Sequence, residues 1–185
     1  MNPADPPLQL PESLTDCAIV LDAHTLDDAV VHLAGEDDEM RRRFESPGPA
    51  TLEQVRAAIG RWIAARAMGG PMIAYAMRQP SGPLIGGCEI RRTGPDRASV
   101  SYWTFPAHRG RGYAARALTL LCAAAAEVPG LALVEAHIDP DNLASRRTAE
   151  RANFAEAGSV ADEALDGSSL IRLLYILPIR RRSAG

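Results

Sequence analysis

Arg109-Gly110-Arg111-Gly112 sets two arginines and two glycines in a row, with no carboxylate among them. That composition suits an anion. Glycines let backbone N–H groups approach a phosphate closely. At a helix start those groups sit at the positive end of the helix dipole. Arginine adds charge and bidentate donors. A solvated strand-to-helix turn needs neither the paired glycines nor the paired arginines, so the run reads as a phosphate cradle. Two elements must position it. Ala98 to Phe105 predicts a strand running in, and the apolar stretch from about Gly112 to Glu127 predicts a helix running out.

The rest of the chain supplies the frame. Residues 1–12, with four prolines by Pro11, read as an irregular tail, residues 13–178 as one domain, and residues 179–185 as a basic end. Cys17 to Leu21 is a strand candidate. Leu26 to Leu33 is a short helix, with Thr25 as candidate N-cap and Gly35 as its stop. Glu36 to Phe44 runs from acids to bases, which fits a short helix with internal charge pairing. The alternative is an acidic entrance for a cationic substrate. Thr51 with Gln54 makes a capping box. Behind it Leu52, Val55, Ile59, Trp62 and Ile63 share one helical face. Met72 to Arg78, Leu84 to Arg91 and Ala98 to Phe105 are joined by short turns, hence antiparallel. Gly86-Gly87 marks a bulge or a close backbone approach. After the helix, Leu131 to Asp139 is a strand, with Val134, Ala136 and Ile138 on one face and Glu135, His137 and Asp139 on the other. A helix from Leu143 to Ala152 and strands at Phe154 to Ala157 and Leu170 to Leu177 follow, with Asp166-Gly167 in the loop between them. The strand before the cradle and the strand after its helix must be parallel neighbours.

Bulk properties narrow the class. With 185 residues, 46% hydrophobic and 23% charged, the chain can bury a core without disulfides. A net charge of −3 and 5% aromatic content argue against nucleic acid, despite Arg41–Arg43 and Arg180–Arg182. All 20 cations are arginine. Cys17, Cys88 and Cys122 are odd in number and far apart, which reads as reduced thiols in a cytoplasmic protein. The four histidines form no metal-ligand pattern, so no metal is expected. No signal peptide or membrane span is read from the sequence. Gly110-x-Gly112-x-x-Ala115 also fits a dinucleotide fingerprint with Glu135 beyond it. Three short-turn strands ahead of it do not suit that fold, and the two arginines suit a ligand with a pyrophosphate and a further phosphate.

The run from Ser101 to Ala114 resembles motif A of the GNAT N-acetyltransferases, with its (Gln/Arg)-x-x-Gly-x-(Gly/Ala) core at Arg109, Gly112 and Ala114. Starting 28 residues after Ala114, Asn142-Leu143-Ala144-Ser145, then Ala149-Glu150-Arg151-Ala152-Asn153-Phe154, resembles the N-x-x-S…E-(R/K)-x-G-F run of the RimJ/RimL-like branch. The resemblance implies an α/β GNAT fold. That fold has one mixed, mostly antiparallel sheet of about seven strands, with a central splayed parallel pair and about five helices around it. It implies acetyl-CoA as co-substrate, held between the splayed strands. The pyrophosphate would lie on Arg109, Gly110, Arg111, Gly112, Tyr113 and Ala114, with pantetheine against Thr104, Phe105 and Asn142. Ser145 would stand near the sulfur as proton donor to the leaving thiolate, although a helix-start hydroxyl satisfying backbone is an equal explanation. Homodimers are common among such relatives. Three positions depart from the pattern: Asn153 for Gly, Ala149 for a Tyr acid, and Pro106 for a Glu base. Asn tolerates the left-handed conformation that the Gly would supply.

The implied reaction moves an acetyl group to a primary amine, a small cationic amine or a protein N-terminus, in a ternary complex without an acyl-enzyme. An amine attacks only when neutral, so a base must take its proton. Glu89, Glu135, His137 and Asp139 are the candidates, each with a structural explanation as well. Backbone N–H groups at the splay would polarise the thioester carbonyl. The alternative is a non-catalytic acyl-CoA sensor or partner-binding module, motivated by the missing Tyr and Glu.

Overall fold

The structure is a computed structural model that describes residues 7–80, 82–163, 167 and 169–179. The expectations for the first six residues, Asp166 and the basic end from Arg180 lie outside the described residues. In chain order the elements are β1 (Leu14–Thr15), β2 (Val20–Asp22), α1 (Asp28–Gly35), α2 (Asp38–Arg43), α3 (Leu52–Ala67), β3 (Met72–Arg78), β4 (Leu84–Arg92), β5 (Arg97–Thr104), a 3-10 turn (Pro106–His108), α4 (Tyr113–Ala125), β6 (Leu133–Ile138), α5 (Leu143–Arg151), β7 (Ala155–Glu163) and β8 (Ser169–Pro178). The strands form one sheet of eight, in the order β1-β2-β3-β4-β5-β6-β8-β7. The strand beyond the expected seven is β1, whose two residues are too few to show periodicity.

Among the described residues only β5 and β6 run parallel, and they pair only over Arg97–Ser99 with Leu133–Glu135. Past that point they part. Each arm keeps its own antiparallel neighbour, β5 on β4 as far as Thr104 and β6 on β8 as far as Ile138. The cleft therefore opens inside a continuous sheet without leaving either strand unsupported.

Two layers cover the sheet. Ala117, Leu118 and Leu121 of α4 pack on Cys88, Ile90, Val100, Val134, Ala136 and Ile138. On the opposite face Met40 of α2 and Trp62 of α3 meet Ala76, Leu84, Trp103 and Phe105. The alternation read along β6 holds: Val134, Ala136 and Ile138 are buried in the α4 core. Burying the Val134 and Ile138 side chains is worth roughly 1.5–3 kcal/mol each.

Local chemistry explains the element ends. The Thr51–Gln54 capping box is present, with Gln54 N–H donating to Thr51 Oγ1 at 3.2 Å and Thr51 N–H donating to Gln54 Oε1 at 2.8 Å. Behind it Val55 and Ile59 are buried, whereas Ile63 is exposed. Helix α1 starts later than expected. Thr25 is not its cap; instead Thr25 N–H donates to the Asp28 carboxylate at 2.8 Å, which Arg78 also holds. Gly86-Gly87 combines both sequence readings. The β3–β4 register shifts between Met77 and Arg78. A Cβ on Gly86 would lie 2.2 Å from the Trp103 carbonyl oxygen, and one on Gly87 would lie 2.3 Å from the Trp103 ring. Asn153 has φ of 66°, the left-handed turn expected there. Among the described residues no helix is long and apolar enough to cross a membrane.

Candidate active site

A cavity of about 890 Å³ opens where β5 and β6 part. It is lined by β5 from Ser99 to Thr104, by β6 from Ala136, by the glycine turn, and by the start of α5. The crossover helix α4 thus brings the two sequence motifs to one place.

The glycine turn has the form of a cradle. Gly110 and Gly112 have φ of 75° and 79°, conformations that cost other residues about 1–2 kcal/mol. A Cβ at either would meet nothing within 4 Å, so backbone conformation rather than crowding calls for glycine. Gly112 caps α4 without a side chain. The first helical bond across this junction is Arg116 N–H to the Gly112 carbonyl. Among the described residues, the N–H groups from Gly110 to Ala115 have no protein acceptor. Six orphan donors at a helix start fit an anionic diphosphate.

The side chains divide differently from the sequence expectation. Arg109 is committed within the protein. Its Nη1 and Nη2 donate to the Asp37 carboxylate at 2.7 and 2.8 Å, and its Nε donates to the Thr104 carbonyl at 3.0 Å. The Arg109 guanidinium, with Met40 N–H at 2.9 Å, holds the Asp37 carboxyl below the usual carboxylate range. Arg111 is exposed, with no partner among the described residues. Tyr113 and Ala114 line the cavity, and the Tyr113 hydroxyl accepts from Gln79 Nε2 at 3.0 Å. Thr104 lines it too. Phe105 does not: its ring is buried against Met40 and Trp103, and its N–H donates to the Ile85 carbonyl at 2.9 Å.

Across the cleft, Asn142 caps α5. Its Oδ1 accepts from Ser145 N–H at 3.0 Å. Ser145 Oγ lies 2.7 Å from the Tyr102 hydroxyl, which also lies 3.0 Å from the Ser145 carbonyl. Burial pushes the Tyr102 phenol up to about 12, against the pull of the Ser145 hydrogen bond. Ala149, the position where the resemblance implies a tyrosine acid, is fully buried in the core. A tyrosine hydroxyl reaches the site from the other arm instead.

Of the base candidates, His137 and Asp139 line the cavity, while Glu89 and Glu135 are not among its lining residues. Glu89 is paired with Arg91 at 2.9 Å. Glu135 is buried and accepts from Thr93 Oγ1 at 3.1 Å. His137 Nδ1 lies 3.2 Å from Asp162 Oδ2. Asp139 is bound by Arg43 and Arg172 at 2.9 and 3.1 Å. Arg172 also pairs with Glu45 and Asp162. Asp162 and Arg172 were not singled out from sequence, and Tyr102 and Asp37 stood only within longer runs, without roles of their own. The acids of α2 pair internally, Asp38 with Arg41 and Glu39 with Arg42 and Arg43. Glu39 lines the cavity, with its charge paired to Arg42 and Arg43.

Residues 19–155 match the family model described as acetyltransferase (GNAT) domain. The chain belongs to the GNAT acetyltransferase family. No curated protein matches it in sequence. Its fold is that of solved acetyltransferases. A RimL ribosomal L7/L12 alpha-N-protein acetyltransferase in complex with coenzyme A is 18% identical, with a TM-score of 0.80, covering 92% of this chain and 100% of that one. A protein from Vibrio cholerae described as a ribosomal-protein-serine acetyltransferase is 17% identical, with a TM-score of 0.78, covering 92% and 99%. An aminoglycoside acetyltransferase AAC(6')-Ib with coenzyme A is 16% identical, with a TM-score of 0.70, covering 87% and 95%. Two of these names carry ribosomal-protein acceptors and one an aminoglycoside, so the GNAT fold does not itself select an acceptor.

Proposed function

We propose that this GNAT protein binds acetyl-CoA in the β5–β6 cleft and moves its acetyl group to a primary amine by direct attack in a ternary complex. One observation carries the reading: the glycine turn with its orphan N–H groups and Ser145 line the same cavity from opposite arms of the splayed pair. In this reading the diphosphate of acetyl-CoA takes those donors, and its thioester supplies the activated acyl group.

The chain's own residues then divide the proton work. Asp162 Oδ2, 3.2 Å from His137 Nδ1, orients the imidazole, and His137 is the group that takes the amine's proton in this reading. Ser145 gives its hydroxyl proton to the sulfur as the C–S bond breaks. Cys88 and Cys122 are unsuited to an acyl-enzyme, because both are buried and desolvation raises their thiols.

An acetyl-CoA turnover screen against grouped amines, reading released thiol, tests the reading. The expected result is thiol release with one amine class, lowered at least tenfold in Ser145→Ala and in His137→Gln. CoA binding by calorimetry with no release from any amine would replace it with a sensor role. An acetyl group trapped on a cysteine along the reaction path would refute direct transfer.

A further inference from the structure

The two hydroxyls beside the cleft are closer than either needs for its own element. Tyr102 lies on β5 and Ser145 on α5, 43 residues apart. The phenol reaches two oxygens of Ser145, Oγ at 2.7 Å and the backbone carbonyl at 3.0 Å. Helix geometry already gives that carbonyl the Ala149 N–H as partner. Ser145 Oγ has no partner besides the phenol among the described residues.

We propose that Tyr102 is a positioning residue for proton delivery, whose hydroxyl donates to Ser145 Oγ and turns the single serine hydrogen toward the cavity and the CoA sulfur. The proposal rests on Ser145 as the proton donor.

A hydroxyl pair has two arrangements. With the phenol donating to the carbonyl, the serine hydrogen caps the phenol oxygen and is lost to the cavity. With the phenol donating to Oγ, the serine hydrogen is free. Negative charge on sulfur selects the second, because each hydrogen bond in such a chain strengthens the next. When the C–S bond breaks, its electron pair stays on sulfur. The Ser145 O–H bond then breaks, an S–H bond forms, and the phenol proton replaces the one lost from Oγ. The phenol recovers a proton from cavity water, while His137 has released the amine's proton to solvent, so the count closes. The phenol, less acidic than usual but more acidic than an alcohol, can make that transfer. Tyr175 acts on the phenol electrostatically, and its own hydroxyl accepts from Arg146 at 3.2 Å and lies 3.1 Å from Glu156 and 3.4 Å from Glu150; His137, Asp139, Arg147 and Arg151 line the same cavity as the pair.

The test needs no acceptor. CoA is bound to the full-length protein, and the ionisation of its thiol is followed by thiolate ultraviolet absorbance against pH. In the wild-type complex the thiol should ionise below free CoA. Ser145→Ala should raise its pKa by about one unit, the worth of one hydrogen bond to a charged sulfur. Tyr102→Phe should raise it by a measurable part of that, and the double variant should match Ser145→Ala, because the phenol acts only through the serine. A fluorotyrosine at position 102, nearly isosteric but more acidic, should lower the thiol pKa further; a purely structural ring would not. If Tyr102→Phe and the fluorotyrosine both leave the thiol at the wild-type value while Ser145→Ala moves it, the role of Tyr102 is overturned and that of Ser145 stands. If Ser145→Ala changes nothing, the serine reading falls and the proposal with it.

Discussion

Arg109 tests whether a motif residue acts through its charge or through its place. Composition assigns its guanidinium to the diphosphate. Among the described residues its hydrogen bonds go to Asp37 and the Thr104 carbonyl, which ties the N-terminus of α2 to the end of β5. Asp37→Asn keeps an acceptor for Met40 N–H and removes the charge pair. The partners are 31% and 38% exposed, so the pair is worth at most about 1 kcal/mol despite its bidentate geometry. In a chain of this length that is a loss of roughly 2–4 °C in Tm. In CoA titration calorimetry, Asp37→Asn and Arg109→Ala should each weaken binding by the same modest factor, at most about fivefold. The double variant should be no weaker than either single one, since both break one clamp. Were Arg109 gripping the diphosphate, its loss would cost about 1.5–3 kcal/mol, more than tenfold in affinity. Asp37→Asn would then free the cation and tighten binding. That pair of results would refute the clamp.

Gly112→Ala should lower stability by about 1–2 kcal/mol through its left-handed φ alone, since its Cβ meets no protein atom, and should weaken CoA binding more than Gly48→Ala, where the Cβ is also in open space. His32 lies among Trp62, Trp103 and Phe105, and burial, with His24 adding to it and Asp28 opposing, holds its imidazole at about 4 rather than 6.5. The unfolded chain therefore takes up this proton first, and stability should fall as pH drops from 6.5 to 4, by on the order of 3 kcal/mol. Urea midpoints across that window should be steeper in wild type than in His32→Leu; parallel lines would remove His32 from the account.

What could be read from sequence was what local backbone chemistry decides. The capping box at Thr51, the alternation on β6, the left-handed Asn153 and the glycine turn each depend on residues within a few positions. Both strands of the parallel pair and the crossover between them followed from the same signals. Strand ends drifted where propensity is weak: β7 runs to Glu163, beyond the expected Ala157, because pairing with β8 carries a polar, glycine-containing segment that has no apolar alternation. Tyr102 was hidden for a different reason. It alternates with Ala98 and Val100 toward the α4 core, where a tyrosine reads as packing. Its meeting with Ser145 depends on where α5 lands after a crossover.

In the proposed function the site has a cofactor half and an acceptor half, and the two differ in how they are built. The cofactor half consists of backbone N–H groups aimed by two glycine conformations, so a short motif encodes it. The acceptor half is a lattice of side chains. Arg43 joins α2 to Asp139 and Asp141, and Arg172 joins β8 to Asp139, Asp162 and Glu45. Its contacts span sequence separations of up to 127 residues, and no local pattern carries them. Burying such pairs costs desolvation that the mutual attraction only offsets, so the lattice is better understood as fixing shape than as adding stability. It also spends the negative charge that would otherwise recruit a cation: Asp139 and Asp162 meet arginine before any acceptor arrives. In the proposed reading, selectivity at this mouth rests on the apolar edge, where the Phe44 and Trp103 ring centroids lie 6.0 Å apart, and on the few groups able to exchange an arginine for a substrate ammonium.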